Sequence, residues 1–262
     1  MKNIPQSTID NRQSTIQAES RANDMERGLM DKKDFDNFTA LKSKLRKHRF
    51  LYSLANIPYP APRWNIRVRN LIAELGTKAK ILNIGAGNRR RAKHVINLEI
   101  EAMPNADIVA DGHYLPFRSE TFDLVILEAV LEHVQNPQQM VAEVRRILKM
   151  GGYVCAAVPF LQGYHAAPYD YRRYTTSGFE LLFADFQKLE SGPCAGPTST
   201  LHWIFREYVG LLLSFGNLWL AKFISILIGW ITFPIVFLDG LLKFNKHAHI
   251  LASAVYFIGR KK

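Results

Sequence analysis

The sequence predicts an α/β fold built on a mostly parallel sheet covered on both faces, and three observations carry that prediction. Short apolar runs alternate with stretches of helical periodicity through the centre of the chain. The first of those runs ends in a G-x-G turn, at the kind of strand end where open α/β sheets hold ligands. The 262 residues are 48% hydrophobic and 22% charged, a composition that excludes wholesale disorder and a polytopic membrane protein. A chain of this length buries roughly three quarters of its unfolded surface. Two cysteines, Cys155 and Cys194, with no CxxC, exclude a disulfide framework and a Cys-rich zinc site, and fit a reducing cytoplasm. The amino-terminal stretch has no apolar run, so no secretory signal is expected.

Residues 1–24 are rich in Ser, Thr, Gln and Asn and read as a flexible tail that buries too little to offset its ordering entropy. Residues 25–62 read as a basic helical extension. Phe35, Phe38, Leu41, Leu45 and Leu54 recur at helical spacing among Lys42, Lys44, Arg46, Lys47 and Arg49. Its basic face is either solvated or a contact for membrane or nucleic acid. Pro58, Pro60 and Pro62 end that helix and mark a boundary, leaving 63–262 as the main domain. Strands are expected at 80–84, 95–99, 108–110, 122–127 and 153–158, then at 186–190 and, antiparallel, at 250–258. A helix is expected over 137–149, with Met140, Val144, Ile147 and Leu148 on one face and Gly151 and Gly152 as its stop. Only 88–94 separate the first two strands, fewer than the ten or so residues of a full parallel crossover, so the first helix is expected to be a stub.

Chemistry concentrates at the expected strand ends. ILNIGAGN at 81–88 runs from a strand into the glycine turn, and Arg90 stands where a dinucleotide-binding loop would have its third glycine. VINLE at 95–99 ends in Glu99, a carboxylate able to accept both hydroxyls of a ribose. DGHYLPF at 111–117, FDLVILE at 122–128, LEHV at 131–134 and RILKMGG at 146–152 follow in order.

This ordered set resembles class I S-adenosylmethionine-dependent methyltransferases of the type 11 branch, with their Rossmann-like seven-stranded sheet and antiparallel last strand. The resemblance implies S-adenosylmethionine as cofactor. It places Gly85, Ala86 and Gly87 at the methionine part, Glu99 at the ribose, Asp111 with Gly112 at the adenine and Leu127 with Glu128 at the methyl-donor pocket, and counts Asn83 and His133 among the cofactor-binding residues. Glu101 remains an alternative to Glu99, and Arg89, Arg90 and Arg91 stand close enough in sequence to intrude. The stretch after the fifth strand, with His165, Asp170, Arg173 and Tyr174, is similar to the H-x-x-P-x-D-x-x-R-Y-T segment of sugar- and lipid-modifying members. On that likeness His165 is the expected general base, and Asp170, Arg173 and Tyr174 are substrate or loop-ordering groups. The plainer reading is an Asp170–Arg173 ion pair that only stabilises the loop. The eight histidines show no metal-ligand spacing, so no metal is expected.

Between the sixth and seventh strands lies an apolar insertion, 200–246, expected to be helical. Over 208–242 only Lys222 and Asp239 are charged, and 223–238 carries no charge. That uncharged run falls short of the roughly 20 residues of a bilayer span and contains Pro234. With Trp203, Trp219 and Trp230 along it and Arg206, Lys222, Lys243 and Lys246 around it, it resembles a peripheral or monotopic element lying in a membrane interface. A lid or a dimer interface are the alternatives. Thirty-four Lys and Arg against 23 acidic residues give +11, which suits anionic headgroups. The resulting expectation is a cytoplasmic, membrane-associated enzyme acting on a small-molecule, glycan or lipid-linked acceptor. An RNA methyltransferase is disfavoured because LEAV at 127–130 is not the [ND]PP[YF] of base-amine enzymes. A non-catalytic binding protein on the same fold is the other alternative.

Overall fold

The structure, a computed structural model, describes residues 57, 59–87, 89–165 and 169–262. The expected tail and the basic helix lie outside these residues. Helix α1 (Pro62–Leu75) opens the described fold with Pro62 in its first turn, where a missing N–H costs nothing. Trp64, Val68 and Ile72 recur every four residues along its buried stripe. The sequence predicts only a boundary at Pro62; the proline that cannot continue one helix starts another.

Strands β1 (Ile81–Ile84), β2 (Val95–Glu99), β3 (Ile108–Val109), β4 (Phe122–Glu128), β5 (Leu148–Pro159), β6 (Phe186–Ala195) and β7 (Ala254–Lys261) form one seven-stranded sheet of order 3-2-1-4-5-7-6. β1 pairs parallel with β2 and β4, and β7 runs antiparallel to both β5 and β6. Helices α2 (Pro137–Ile147) and α3 (Thr176–Leu182) cover one face, burying Met140, Val144, Ile147 and Phe179 against Leu82, Val125 and Phe257. α1 covers the other, against Ile81, Leu124, Ile126, Cys155 and Ile258. Burial pushes the thiols of Cys155 and Cys194 up to about 12, so both are packing groups and not nucleophiles.

Three local expectations are revised. Among the described residues no helix, not even a stub, joins β1 to β2. Arg90 braces that connection instead, with a bidentate pair to Asp107 and bonds to the carbonyls of Val95 and Asn105. Gly151 and Gly152 do not stop α2: Leu148 is already extended, and both glycines lie inside β5. The last strand begins at Ala254, after a 3₁₀ turn (Ala248–Leu251), because the apolar insertion packs as far as that turn.

The insertion is a helical hairpin, α4 (Pro197–Leu213) and α5 (Leu218–Thr232). It continues through a 3₁₀ turn at Pro234 (Phe233–Leu238) into α6 (Asp239–Leu242). The continuous helical stretch Leu218–Leu242 has 25 residues and holds an 18-residue window of mean hydropathy 2.0, long and apolar enough to cross a membrane by those measures. Its length exceeds the uncharged run because both interrupting charges are absorbed. Lys222 pairs with Glu207 of α4, and Asp239 caps the start of α4 through the amides of Thr198 and Ser199. At the crossing the buried residues of α5 are Ala221, Ser225 and Gly229. A Cβ on Gly210 of α4 would stand 2.5 Å from the Ala221 carbonyl.

His202, 3% exposed, ties this hairpin together. Its Nε2 donates to the Gly229 carbonyl at 2.9 Å and its Nδ1 meets the Tyr59 hydroxyl at 3.0 Å, where the neutral ring accepts the hydroxyl proton. Burial accordingly holds its pKa below 6.5. The unfolded chain takes up a proton near that pH that the native state refuses. Stability is therefore full above about pH 6.5 and falls as the pH drops toward the folded value, by at most about 1.4 kcal/mol per pH unit. Urea midpoints measured from about pH 7.5 to 5.5 are expected to decline in the native protein and to decline less in His202→Gln.

Candidate active site

β1 is the central parallel strand at which the strand order reverses, the position where open sheets of this kind hold ligands. Gly85 takes a positive φ of 66° there, and a Cβ on it would meet Val130 Cγ2 at 2.4 Å, so glycine is required on both counts. Gly87 donates its amide to Glu99 Oε1, which fixes the strand-end carboxylate against the turn. Glu99 is buried and Glu101 is exposed, so Glu99 is the carboxylate that the fold brings to the glycines.

A cavity of about 190 Å³ lies over this turn, lined by Asn83, Gly85, Ala86, Arg89, Arg91, Glu128 and Ala129. Ala129 is held at φ 54°, a conformation that costs a non-glycine residue about 1–2 kcal/mol and is found where a backbone serves a site. Arg89 and Arg91 both pair with Glu128, so two of the three neighbouring arginines do enter the cavity wall, while Arg90 turns away to Asp107. Asn83 is buried and bonded to Asn97.

The remaining sequence-derived positions are placed more widely. Leu127 sits in the core beneath α2 and not in the cavity wall. Asp111 Oδ1 takes both the amide and Nδ1 of His113, and this imidazole holds the carboxyl below its ordinary value against the opposing effect of burial. Gly112 lies against Met140, whose Cε would be 2.3 Å from an added Cβ.

The loop after β5 is organised around Arg173. Its guanidinium bonds both carboxylate oxygens of Asp170 and the carbonyls of Gln162, Gly163 and Arg172. Burial pushes the Asp170 carboxyl up, but Arg173, the His165 amide and the nearby charges outweigh it and hold it below its ordinary value. His165 and His133 meet edge to face at 5.3 Å, both beside Glu132, a residue for which the sequence predicts no role. Burial lowers the pKa of His133, against the opposing effect of Glu132, and so favours the neutral ring. The buried Tyr174 hydroxyl has no hydrogen-bond partner among the described residues, and desolvation raises its pKa. Trp203 of α4 packs on Gly163 and lies 5.9 Å from the His165 ring, which puts the apolar hairpin directly over this loop. Nothing in local spacing signals that contact.

Residues 68–156 match a family model described as a methyltransferase domain. An uncharacterized protein of Methanocaldococcus jannaschii is 34% identical over 92 residues, 31% of this chain and 45% of that one. An uncharacterized methyltransferase of Schizosaccharomyces pombe is 49% identical over 41 residues, 16% of this chain and 15% of that one. The chain thus spans less than half the length of these curated relatives. Among solved structures, a SAM-dependent methyltransferase of Thermotoga maritima superposes with a TM-score of 0.51 at 15% identity, over 84% of this chain and 98% of that one. The MccD protein gives 0.50 at 15% identity, over 78% and 99%. These likenesses show the same sheet architecture.

Proposed function

We propose that this chain, a class I methyltransferase by fold and by the family match over 68–156, transfers a methyl group from S-adenosylmethionine to a small-molecule, glycan or lipid-linked acceptor, through oxygen, at a membrane surface. The observation that carries the reading is the glycine turn whose Gly87 amide clasps Glu99 at the reversal point of the sheet, beside a cavity with a polar rim. The residues present fit the cofactor: positive-φ glycine leaves the backbone open to close approach, Glu99 offers a carboxylate for a ribose diol, and Arg89 and Arg91 offer cations for an α-carboxylate.

Bound S-adenosylmethionine supplies a methyl group already activated on a sulfonium, so the protein's task is mainly to position the acceptor. The β5–α3 loop serves the acceptor side. Asp170 and Arg173 are positioning residues that set its shape, and His165 is the imidazole it presents to an acceptor hydroxyl. The hairpin that overlies this loop exposes Leu201, Phe205, Tyr208, Leu211 and Leu212 along α4, which suits delivery of an acceptor with a lipid portion.

Calorimetric titration with S-adenosylmethionine and its demethylated product tests the core of the reading. Micromolar binding is expected in the native chain and is expected to disappear in Gly85→Arg, where the side chain meets both Val130 and the cavity. A folded native protein that binds neither compound would refute the enzymatic reading.

A further inference from the structure

Glu132, His133 and His165 form a cluster that the cofactor cavity leaves unused. Glu132 follows β4 on a tight 3₁₀ turn (Leu131–His133) and is 0% exposed, yet neither of its carboxylate oxygens has a hydrogen-bond partner among the described residues. Burying a carboxylate without one is strongly unfavourable. Its Oε1 lies 3.7 Å from His133 Nε2 and 3.8 Å from His165 Nε2, both beyond hydrogen-bond length.

The hydrogen bonds on the far side of each ring assign the tautomers. His133 Nδ1 donates to the Tyr169 carbonyl, which leaves the lone pair on Nε2. His165 Nδ1 faces the Gly163 carbonyl at 3.1 Å and Asp170 Oδ2 at 3.6 Å, both acceptors. Arg173 Nη2 is also near, at 3.2 Å, but its two hydrogens go to Gly163 at 2.7 Å and Asp170 at 2.6 Å. In the neutral ring of His165 the proton therefore sits on Nδ1 and the lone pair on Nε2. Three electron-pair donors converge with no proton between them.

Such a set is what a metal ion requires. Metal–nitrogen and metal–oxygen bonds of about 2.0–2.2 Å place the ligand atoms of one ion roughly 3–4 Å apart. The three atoms here all lie within 4.8 Å of one another. Imidazoles whose far N–H is fixed by a backbone carbonyl are the usual supported ligands. Two nitrogens and one carboxylate select a first-row transition metal over calcium or magnesium, which favour all-oxygen sites. The buried carboxylate closes one side of the cluster, while the His133 and His165 side chains remain 15% and 26% exposed. Three protein ligands with an open position are the pattern of a catalytic, not a structural, site.

We propose that Glu132, His133 and His165 bind one divalent first-row transition-metal ion, open on the acceptor side. Binding of the ion stands on the cluster alone. Its use rests on the methyl-transfer reading: the ion takes over from the free imidazole the task of holding an acceptor hydroxyl and lowering its pKa.

The test is titration of chelator-stripped full-length protein with Co²⁺, followed by its visible absorption, and then with Zn²⁺ as competitor, with S-adenosylmethionine affinity measured in parallel. One equivalent of Co²⁺ is expected to bind, with the spectrum of nitrogen and oxygen coordination, and to be displaced by Zn²⁺. His165→Asn, in the loop, and Glu132→Gln, in the core, are each expected to weaken binding by more than the roughly 10–100-fold that loss of a supporting partner costs. Their cofactor affinity should stay unchanged. Protein that binds S-adenosylmethionine but takes up neither ion at micromolar concentration overturns the proposal, and a protonated Glu–His pair then explains the cluster. Binding that survives His165→Asn also overturns it, and assigns the ion elsewhere, such as His247 and His249. Metal uptake without cofactor binding upholds the ion site and removes the methyl-transfer reading.

Discussion

Arg173→Ala is expected to lower stability by about 3–5 kcal/mol, because it strips the partner from a carboxylate that is 1% exposed. Asp170 keeps the His165 amide at 2.8 Å and loses every charged donor it has among the described residues. Three carbonyls, of Gln162, Gly163 and Arg172, lose a donor at the same time. In a protein of this size the loss corresponds to a fall in melting temperature of roughly 6–20 °C. The double variant Asp170→Asn, Arg173→Ala should recover part of it, since no unpaired charge is then buried. Cofactor affinity should survive both changes, because neither residue lines the cavity, while acceptor turnover should fall in both. An Arg173→Ala protein with the native melting temperature and native turnover would show that the guanidinium organises nothing.

That pair was legible in the sequence as two alternatives, substrate groups or a loop-ordering ion pair, and the geometry shows why spacing alone could not choose. Asp170 and Arg173 sit three residues apart outside any helix, so nothing local fixes their orientation; it is set by the carbonyls of Gln162 and Gly163, which the chain returns to the same place. The central parallel strands β1 and β4 were readable because they are buried on both faces and appear as nearly continuous apolar runs. The glycine turn was readable because positive φ leaves a compositional trace. Helix α1 had a signal that went unused: Trp64, Val68 and Ile72 after Pro62. Glu132 had none. An acidic residue between Leu131 and His133 reads as solvated, and its burial is decided by His165, which reaches it from the loop after the next strand. Leu127 shows the opposite error: strand alternation turns its side chain into the core while Glu128, one residue on, faces the cavity.

On the proposed membrane-surface reading, replacing Phe223, Leu227 and Ile231 together by serine is expected to weaken vesicle binding strongly while leaving the fold and the cofactor site intact. In a soluble helical hairpin the large apolar side chains pack inward and small or polar ones face water. This hairpin is reversed. Ala221, Ser225 and Gly229 form the buried stripe of α5, and Phe223 and Ile231 are each 65% exposed on its outer side. Phe215, at the turn between α4 and α5, is 93% exposed. Small residues inside and large apolar residues outside are the arrangement of helices whose surroundings are lipid. Each of the three side chains contributes up to about 1.5–3 kcal/mol when it leaves water, so their joint loss should weaken partition into vesicles by roughly 100-fold or more. Lys243, stacked on Phe244 at 4.9 Å, and the other flanking cations should make binding stronger on anionic than on zwitterionic vesicles, with the difference fading as salt rises. Co-sedimentation of the native chain and the triple variant with both vesicle types measures this directly. A native protein that stays in the supernatant with anionic vesicles at low salt, and elutes as a dimer through the same face, would instead assign the apolar surface to a second copy of the chain.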